Sequence, residues 1–372
     1  MPTTVARRSP WQLLLGLVLG AASSGALAQE CRVAFDIGSS GVRAGTSARS
    51  GGGTATARVD IDYLGPLAAG LGLQASEAAT AAALRELPRQ GGFDTSCAPM
   101  AGGFSAWRQA LRQAPDATVA LMARLHVQTG VPVLVVPQVI EGGYGHLAAQ
   151  LQLGARLSTS HVLDIGGGSL QVAGRHSGFG AELGQKSWHQ TLCRALGRDT
   201  TEGPCALAPL SAPELASARA LARDALATLR PEGGPPLGLT AVSRPVTRGV
   251  LPAVNTWAGR PPGTQPLASE TLSSAIDALA PLPLAATIDR LAVAPQHAGY
   301  LLSDMLLVEG VMRAAGAPSL AVFETDLANV PGLLRDEQAY AWRLHYNCYL
   351  SRLAQLGPDA YFTSPASCNA PR

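Results

Sequence analysis

The chain of 372 residues predicts an α/β fold of two related lobes, duplicated mixed sheets flanked by helices. Three observations predict it. The first is an internal repeat: His161-Val-Leu-Asp-Ile-Gly-Gly-Gly-Ser-Leu-Gln-Val-Ala-Gly174 parallels Val33-Ala-Phe-Asp-Ile-Gly-Ser-Ser-Gly-Val-Arg-Ala-Gly45. Each copy reads as a strand, an Asp-Ile-Gly turn and a returning strand, and a repeat of this kind implies two lobes of one design. The second is length, which suits two domains of ordinary size. The third is composition: 47% hydrophobic and 15% charged residues fit a well-buried globular protein rather than a disordered one.

Residues 1–28 read as an export signal. Arg7 and Arg8 form a basic head, Trp11 to about Ala22 an apolar run, and Ala26-Leu27-Ala28 a small-residue cleavage point. A bilayer-spanning helix takes about 20 apolar residues, and this run is shorter and bounded by Pro10, so no stable membrane anchor is expected. The expected location is periplasmic or secreted. Losing Arg7 and Arg8 with no acidic residue takes the net charge from +2 to zero. A neutral protein has no general polyanion-binding surface, which excludes nucleic acid as a partner. Lys186 is the only lysine, so arginine supplies almost every cation.

The first lobe is expected over 29–153. Arg32–Phe35 is a strand running into the first glycine-rich turn, Val42–Thr46 returns, and Ser50–Gly53 turns the chain before Thr54–Tyr63. Helices follow at Ser76–Leu87, with Ser76 a plausible cap, at about Phe104–Ala114 and at Ala117–Gln128. Val131–Ile140 is a β-branched run broken by two prolines, and a helix continues through Leu151. The second lobe is expected over 154–325: the repeated hairpin, an alanine-rich helix at Pro209–Leu229, a loop at Pro231–Pro236, an irregular stretch over 252–266, a long apolar helix within Leu291–Ala314, and a strand at Leu320–Phe323. The tail, 326–372, alternates aromatic and polar residues and is expected to pack back on the first lobe.

Six cysteines, an even number, in an exported chain favour disulfides; short spacing makes Cys193–Cys205 and Cys348–Cys368 the expected local staples. There is no Cys-x-x-Cys pair, and the seven histidines lack ligand spacing, which argues against a zinc-type site.

Why two Asp-Gly-rich turns? A phosphate needs several N–H donors converging on it, and glycine lets the backbone come that close. Ser39, Ser40 and Ser169 can add hydroxyl donors. Asp36 and Asp164, at the strand ends, can face a hydrated Mg²⁺ that bridges phosphate oxygens. One such turn is a weak motif, but a pair on opposite lobes clamps one polyphosphate chain from both sides. Hydrolysis also needs a base that orients water. Glu141, in Val139-Ile-Glu-Gly-Gly-Tyr-Gly-His-Leu147, is the candidate. It suits a strand end where substrate approaches, and equally a solvent-facing position at a helix start, which the helix dipole favours.

These residues carry a resemblance. Asp36-Ile-Gly-Ser-Ser-Gly-Val-Arg43, Ala110-Leu-Arg-Gln-Ala114, Thr129-Gly-Val-Pro132, Val139-Ile-Glu-Gly142 and Asp164-Ile-Gly-Gly-Gly-Ser169 resemble, in order from about residue 31 to 335, the exopolyphosphatase/guanosine pentaphosphate phosphatase (Ppx/GppA) family. That family belongs to the actin-like ATPase superfamily, with a ribonuclease H-like fold. The stretch around Glu141 is also similar to the apyrases, the nucleoside triphosphate diphosphohydrolases. The resemblance implies Glu141 as the water-activating base; Gly38, Ser39, Ser40, Arg43, Arg112, Gly166, Gly167, Gly168 and Ser169 around phosphate; and Asp36 and Asp164 near Mg²⁺. It implies an exported enzyme that cleaves terminal phosphate from a small-molecule phosphoanhydride, polyphosphate or a nucleotide polyphosphate.

The chain departs from the family pattern in places. Ser40-Gly41 stands for an Asn-Ser pair, Trp107-Arg108-Gln109 for residues before Ala-Leu-Arg, and His297-Ala-Gly299 for Arg-Ala-Asp. Gly238-Leu-Thr-Ala241 stands for Gly-Gly-Thr-Ala, where Leu239 removes one close backbone approach. Two alternatives stand beside the exopolyphosphatase reading: a periplasmic nucleoside di- or triphosphatase, and an inactive relative that binds phosphate or nucleotide without turnover.

Overall fold

A computed structural model of the chain describes residues 31–47, 56–198, 205–291, 295–325 and 329–369. The export signal and the turn at Ser50–Gly53 lie outside the described residues.

In the first sheet, β1 (Arg32–Ile37), β2 (Gly41–Thr46) and β3 (Thr56–Asp60) form an antiparallel meander, and β4 (Ala98–Gly103) and β5 (Val133–Val135) extend it in parallel from β1. The order is β3-β2-β1-β4-β5. The second sheet repeats the plan. Here β6 (His161–Ile165), β7 (Leu170–Gly174) and β8 (Gly178–Ala181) are the meander, and β9 (Leu239–Ala241) runs parallel to β6. An added edge strand, β10 (Leu267–Ala268), pairs with β11 (Ser319–Val322), giving β10-β11-β9-β6-β7-β8.

The duplication extends to register. Asp36 lies opposite Arg43 in one hairpin, and Asp164 opposite Gln171 in the other. Both turns close with the same bond: Gly38 N–H donates to the Gly41 carbonyl at 3.0 Å, and Gly166 N–H to the Ser169 carbonyl at 2.9 Å. Gly41 is required by space, since a Cβ there would meet the Val59 carbonyl oxygen at 2.4 Å.

Helices cover the sheets. The first lobe carries α1 (Leu64–Ala68), α2 (Glu77–Gln90), α3 (Ser105–Gln113), α4 (Pro115–Thr129) and α5 (Gln138–Leu153). The second carries α6 (Gln185–Ala195), α7 (Ala212–Ala225), α8 (Leu251–Trp257), α9 (Ser269–Leu279), α10 (Leu284–Leu291) and α11 (Pro295–Ala315). Then come α12 (Val330–Leu333), α13 (Glu337–Arg343) and α14 (Tyr346–Leu356). Local chemistry sets several boundaries. A capping box of Ser211 and Glu214 opens α7, and left-handed Gly130 (φ 71°) closes α4.

Two expectations need correction. The β-branched run Val131–Ile140 yields a strand only at Val133–Val135, because Pro137, which has no N–H to donate, caps α5 and turns Val139, Ile140 and Glu141 into its first turn. The stretch 252–266 is not irregular throughout: its first residues lie in α8, which continues a helical segment that begins at Pro245.

Each sheet has its own core. Tyr340, Trp342, Tyr346, Tyr349 and Tyr361 join the core of the first sheet. They also protect its edge. The Val133 and Val135 amides, which have no further strand to pair with, donate to the hydroxyls of Tyr346 (3.2 Å) and Tyr349 (2.8 Å). Among the described residues no helix is long and apolar enough to cross a membrane.

The cysteines pair as Cys31–Cys97, Cys193–Cys205 and Cys348–Cys368. The two short-range pairs match the expectation. The third joins the residues just before β1 and β4, whose parallel register sets Arg32 opposite Ala98. It closes a loop with a sequence separation of 66, for which loop-closure entropy gives about 4 kcal/mol. Removing it as the double variant Cys31→Ser/Cys97→Ser is therefore expected to cost about 4 kcal/mol in denaturant unfolding. A loss below about 1 kcal/mol would contradict this account of the staple.

Candidate active site

The two glycine-rich turns meet. A Cβ on Gly167 would lie 2.5 Å from Ser39 Oγ, and one on Gly168 would lie 2.3 Å from Ser105 Oγ. The second lobe's turn thus brings its glycine backbone against the serine hydroxyls of the first lobe's turn and of the start of α3. Between them is a cleft of about 270 Å³, lined by Asp36, Gly38, Ser39, Ser40, Arg43, Glu141, Asp164, Gly166, Gly167, Gly168 and Ser169. Of the residues picked out in the sequence, only Arg112 is elsewhere. It is half exposed, sits 3.5 Å from Glu182, and lines a separate cavity between α3 and α6.

Glu141 reaches the cleft from the first turn of α5, not from a strand end. Neither is it solvent-facing: it is 9% exposed. Burial pushes its carboxyl up to about 7; Arg108 counteracts this, while Asp164 and Asp36 add to it. The helix is held from behind. Tyr144, one turn on, and Tyr361 both donate to Asp336, and Gly332 leaves room for the Tyr144 ring, which a Cβ would strike at 2.4 Å.

Sequence reasoning missed Arg108, reading Trp107-Arg108-Gln109 as a departure and favouring Arg112 one turn later. Arg108 is the buried one. Its guanidinium lies 2.7 Å from Glu141 Oε2, donates to the Val136 carbonyl at 2.8 Å and to Ser169 Oγ at 3.3 Å, and lies 3.4 Å from Glu182. It thereby links both lobes to the candidate base. Glu141 Oε2 is itself buried, with the Arg108 cation as its close neighbour. An arginine next to Trp107, among the apolar residues Ala106, Ala110 and Leu111, was the available signal.

Asn329 was also missed. It precedes α12, lines the cleft, and donates to Asp36 Oδ2 at 3.3 Å. Its own Oδ1 is buried without a hydrogen-bond partner among the described residues. Asp164 is pushed up to about 6, by burial first and then by the charge of Asp36; Asp36 is raised by burial as well. Two carboxylates that repel each other at the strand ends, with a spare amide oxygen nearby, are the hard oxygen set that suits a divalent cation such as Mg²⁺.

Leu239 does not reach the cleft. It is 1% exposed at the start of β9, within the second core, so the substitution there concerns packing and not a phosphate contact.

Comparison with solved structures agrees with this architecture. The chain is similar to the crystal structure of the Aquifex aeolicus member of the Ppx/GppA protein family: TM-score 0.59 and 16% identity, covering 85% of this chain and 98% of that one. It is also similar to an exopolyphosphatase from Cytophaga hutchinsonii, with TM-score 0.58 and 15% identity over 82% of this chain and 96% of that one. Among curated proteins, an uncharacterized protein of Streptomyces coelicolor is 28% identical over 249 residues, 62% of this chain and 68% of that protein. No protein-family model matches the chain. The chain has the fold of the Ppx/GppA structures, the two-lobed actin-like ATPase type with a mixed sheet in each half.

Proposed function

We propose that this protein is a phosphoanhydride hydrolase of exopolyphosphatase type, acting outside the cytoplasm. The observation that carries the proposal is the meeting of two same-register glycine turns over a buried Glu141. Such paired turns offer backbone N–H donors to a phosphoryl group from both lobes, and Ser39, Ser40 and Ser169 add hydroxyls. Glu141, whose Oε2 faces Arg108, takes a proton from the attacking water on its carboxylate. The water oxygen bonds to the terminal phosphorus as the bridging P–O bond breaks, and the shortened chain leaves with that electron pair. Asp36 and Asp164 are the residues that would hold Mg²⁺, which when bound neutralises phosphate charge. Arg43, opposite Asp36 in the sheet, supports the chain.

Support comes from the site's electrostatics and from the fold shared with exopolyphosphatase structures. The test is phosphate release from pyrophosphate, tripolyphosphate, ADP and ATP by the oxidised protein with Mg²⁺. Release from the inorganic chains bears the proposal out. Release from the nucleotides alone moves the activity to the apyrase-like alternative, and binding without release moves it to the inactive one.

A pH profile adds a sharper expectation. Glu141 must be ionised to accept a proton, and its carboxyl is raised to about 7. Below that pH kcat/KM therefore falls about tenfold per unit, and above it levels off. A profile flat from pH 5 to 8, measured at constant ionic strength, would remove Glu141 from the base role.

A further inference from the structure

Asp36, Arg43 and Arg58 form one row across the first sheet, for the register sets Asp36 opposite Arg43 and Arg43 opposite Arg58. Residues opposite one another on antiparallel strands share a face about 5 Å apart at Cβ, and like charges so placed destabilise the pair. Arg43 and Arg58 are such a pair. Arg244, which follows β9 in the second lobe, lines the same cleft as both. Its guanidinium is held below its ordinary value, by burial first and then by the charges of Arg58, Arg43 and Arg248, with Glu324 acting in the opposite direction. Arginine stays protonated in any case, so the shift registers burial first and, after it, the neighbouring positive charges. Asp36 in the same row, and Asp164 across the cleft, offset part of this charge. Asp60 accepts from Arg58 Nε at 2.9 Å and is largely exposed, and Glu324 lies 3.8 Å from Arg244 while also accepting from Arg248 at 2.9 Å.

The second lobe supplies an internal control. Its corresponding row is Asp164, Gln171 and Gly180, with no cation. The duplicated hairpin folds without arginines in these positions, so the first lobe's row calls for a reason inside the cleft. Distance suggests what the reason is. Arg58 stands two strand spacings, roughly 10 Å, along the row from Asp36, further than a single phosphoryl group extends.

We infer that Arg43, Arg58 and Arg244 form an outer anion subsite, which binds an inner phosphoryl group of a chain at least three long while the terminal group lies between the two turns. The inference rests on the turns holding that terminal group, as proposed above. The chain then runs from Glu141, past Asp36 and Arg43, out to Arg58 and Arg244. Tripolyphosphate and a nucleoside triphosphate share this chemistry.

Calorimetric titration with inorganic phosphate, pyrophosphate, tripolyphosphate and ATP, each with Mg²⁺, tests it. The wild type is expected to bind tripolyphosphate about tenfold more tightly than pyrophosphate, the gain of one charge-assisted contact. Arg58→Gln and Arg244→Gln are each expected to abolish most of that gain. A matching gain for ATP identifies a nucleotide chain as a source, and a gain for tripolyphosphate alone an inorganic one; either supports the subsite. A wild type with no gain beyond pyrophosphate, or variants that both keep it, overturns the subsite. The proposed activity fails separately: a length-dependent gain without phosphate release would retire hydrolysis and leave the subsite standing.

Discussion

Glu141→Gln is expected to lower turnover about 10²–10⁴-fold, the usual worth of a positioned general base, with substrate binding retained. The physical reason is local. Glutamine keeps the shape of the side chain in the first turn of α5, and the Tyr144–Asp336–Tyr361 contacts that hold the helix are untouched. What it loses is an oxygen that can take a proton from water. Burial and the negative charges of Asp164 and Asp36 favour the neutral carboxyl in the ligand-free protein, so the uncharged amide is also expected to leave stability intact at neutral pH. Steady-state phosphate release together with a binding titration checks both halves. A variant that keeps full turnover on every phosphoanhydride would strip Glu141 of the role. One that neither binds nor unfolds cooperatively would show that the position is structural.

Arg108→Leu is expected to be nearly as severe for turnover, about 10²-fold or more, and to cost stability as well. The guanidinium is enclosed by Glu141, Glu182, the Val136 carbonyl and Ser169 Oγ. Removing it leaves a buried carboxylate without its cation, a change that costs about 3 kcal/mol when the acid stays ionised. The sign with pH follows from the direction of the shift. Arg108 lowers the Glu141 value in the wild type, so without it the value rises, and Glu141 stays protonated over a wider range. The stability cost is therefore largest near pH 8 and shrinks towards pH 6, where the carboxyl takes up a proton. The acidic limb of the rate profile also moves to higher pH. Arg108→Lys is not expected to rescue either property, because one ammonium cannot serve contacts spread over a planar fork. Denaturant unfolding at the two pH values, paired with pH–rate profiles, reads both effects. A cost independent of pH would place the importance of Arg108 in packing alone.

Much of this fold was legible because the repeat is local. The Asp-Ile-Gly turn encodes its own hydrogen bond and register, so both hairpins emerge from short segments. Elements that depend on distant partners were not legible. β4, Ala-Pro-Met-Ala-Gly-Gly, has no β-branched residue and is a strand because β1 and β5 flank it. Glu141 was identified by type and neighbours, but a strand end and a helix start were equally open to it until Pro137 is read as a cap. Arg108 and Arg112 are one turn apart on the same helix, and only tertiary burial separates the partner of Glu141 from a surface ion pair. Asn329 was beyond sequence reasoning altogether, since its place beside Asp36 depends on how the C-terminal segment returns to the first sheet.

The central claim is that the two turns act together on one phosphoryl group. The most direct measurement is a crystal structure of Glu141→Gln with methylenediphosphonate and Mg²⁺. The account predicts a terminal phosphonate contacted at once by amides of Gly38–Ser40 and of Gly166–Ser169. A ligand held by one turn alone, or lodged away from both, would contradict it.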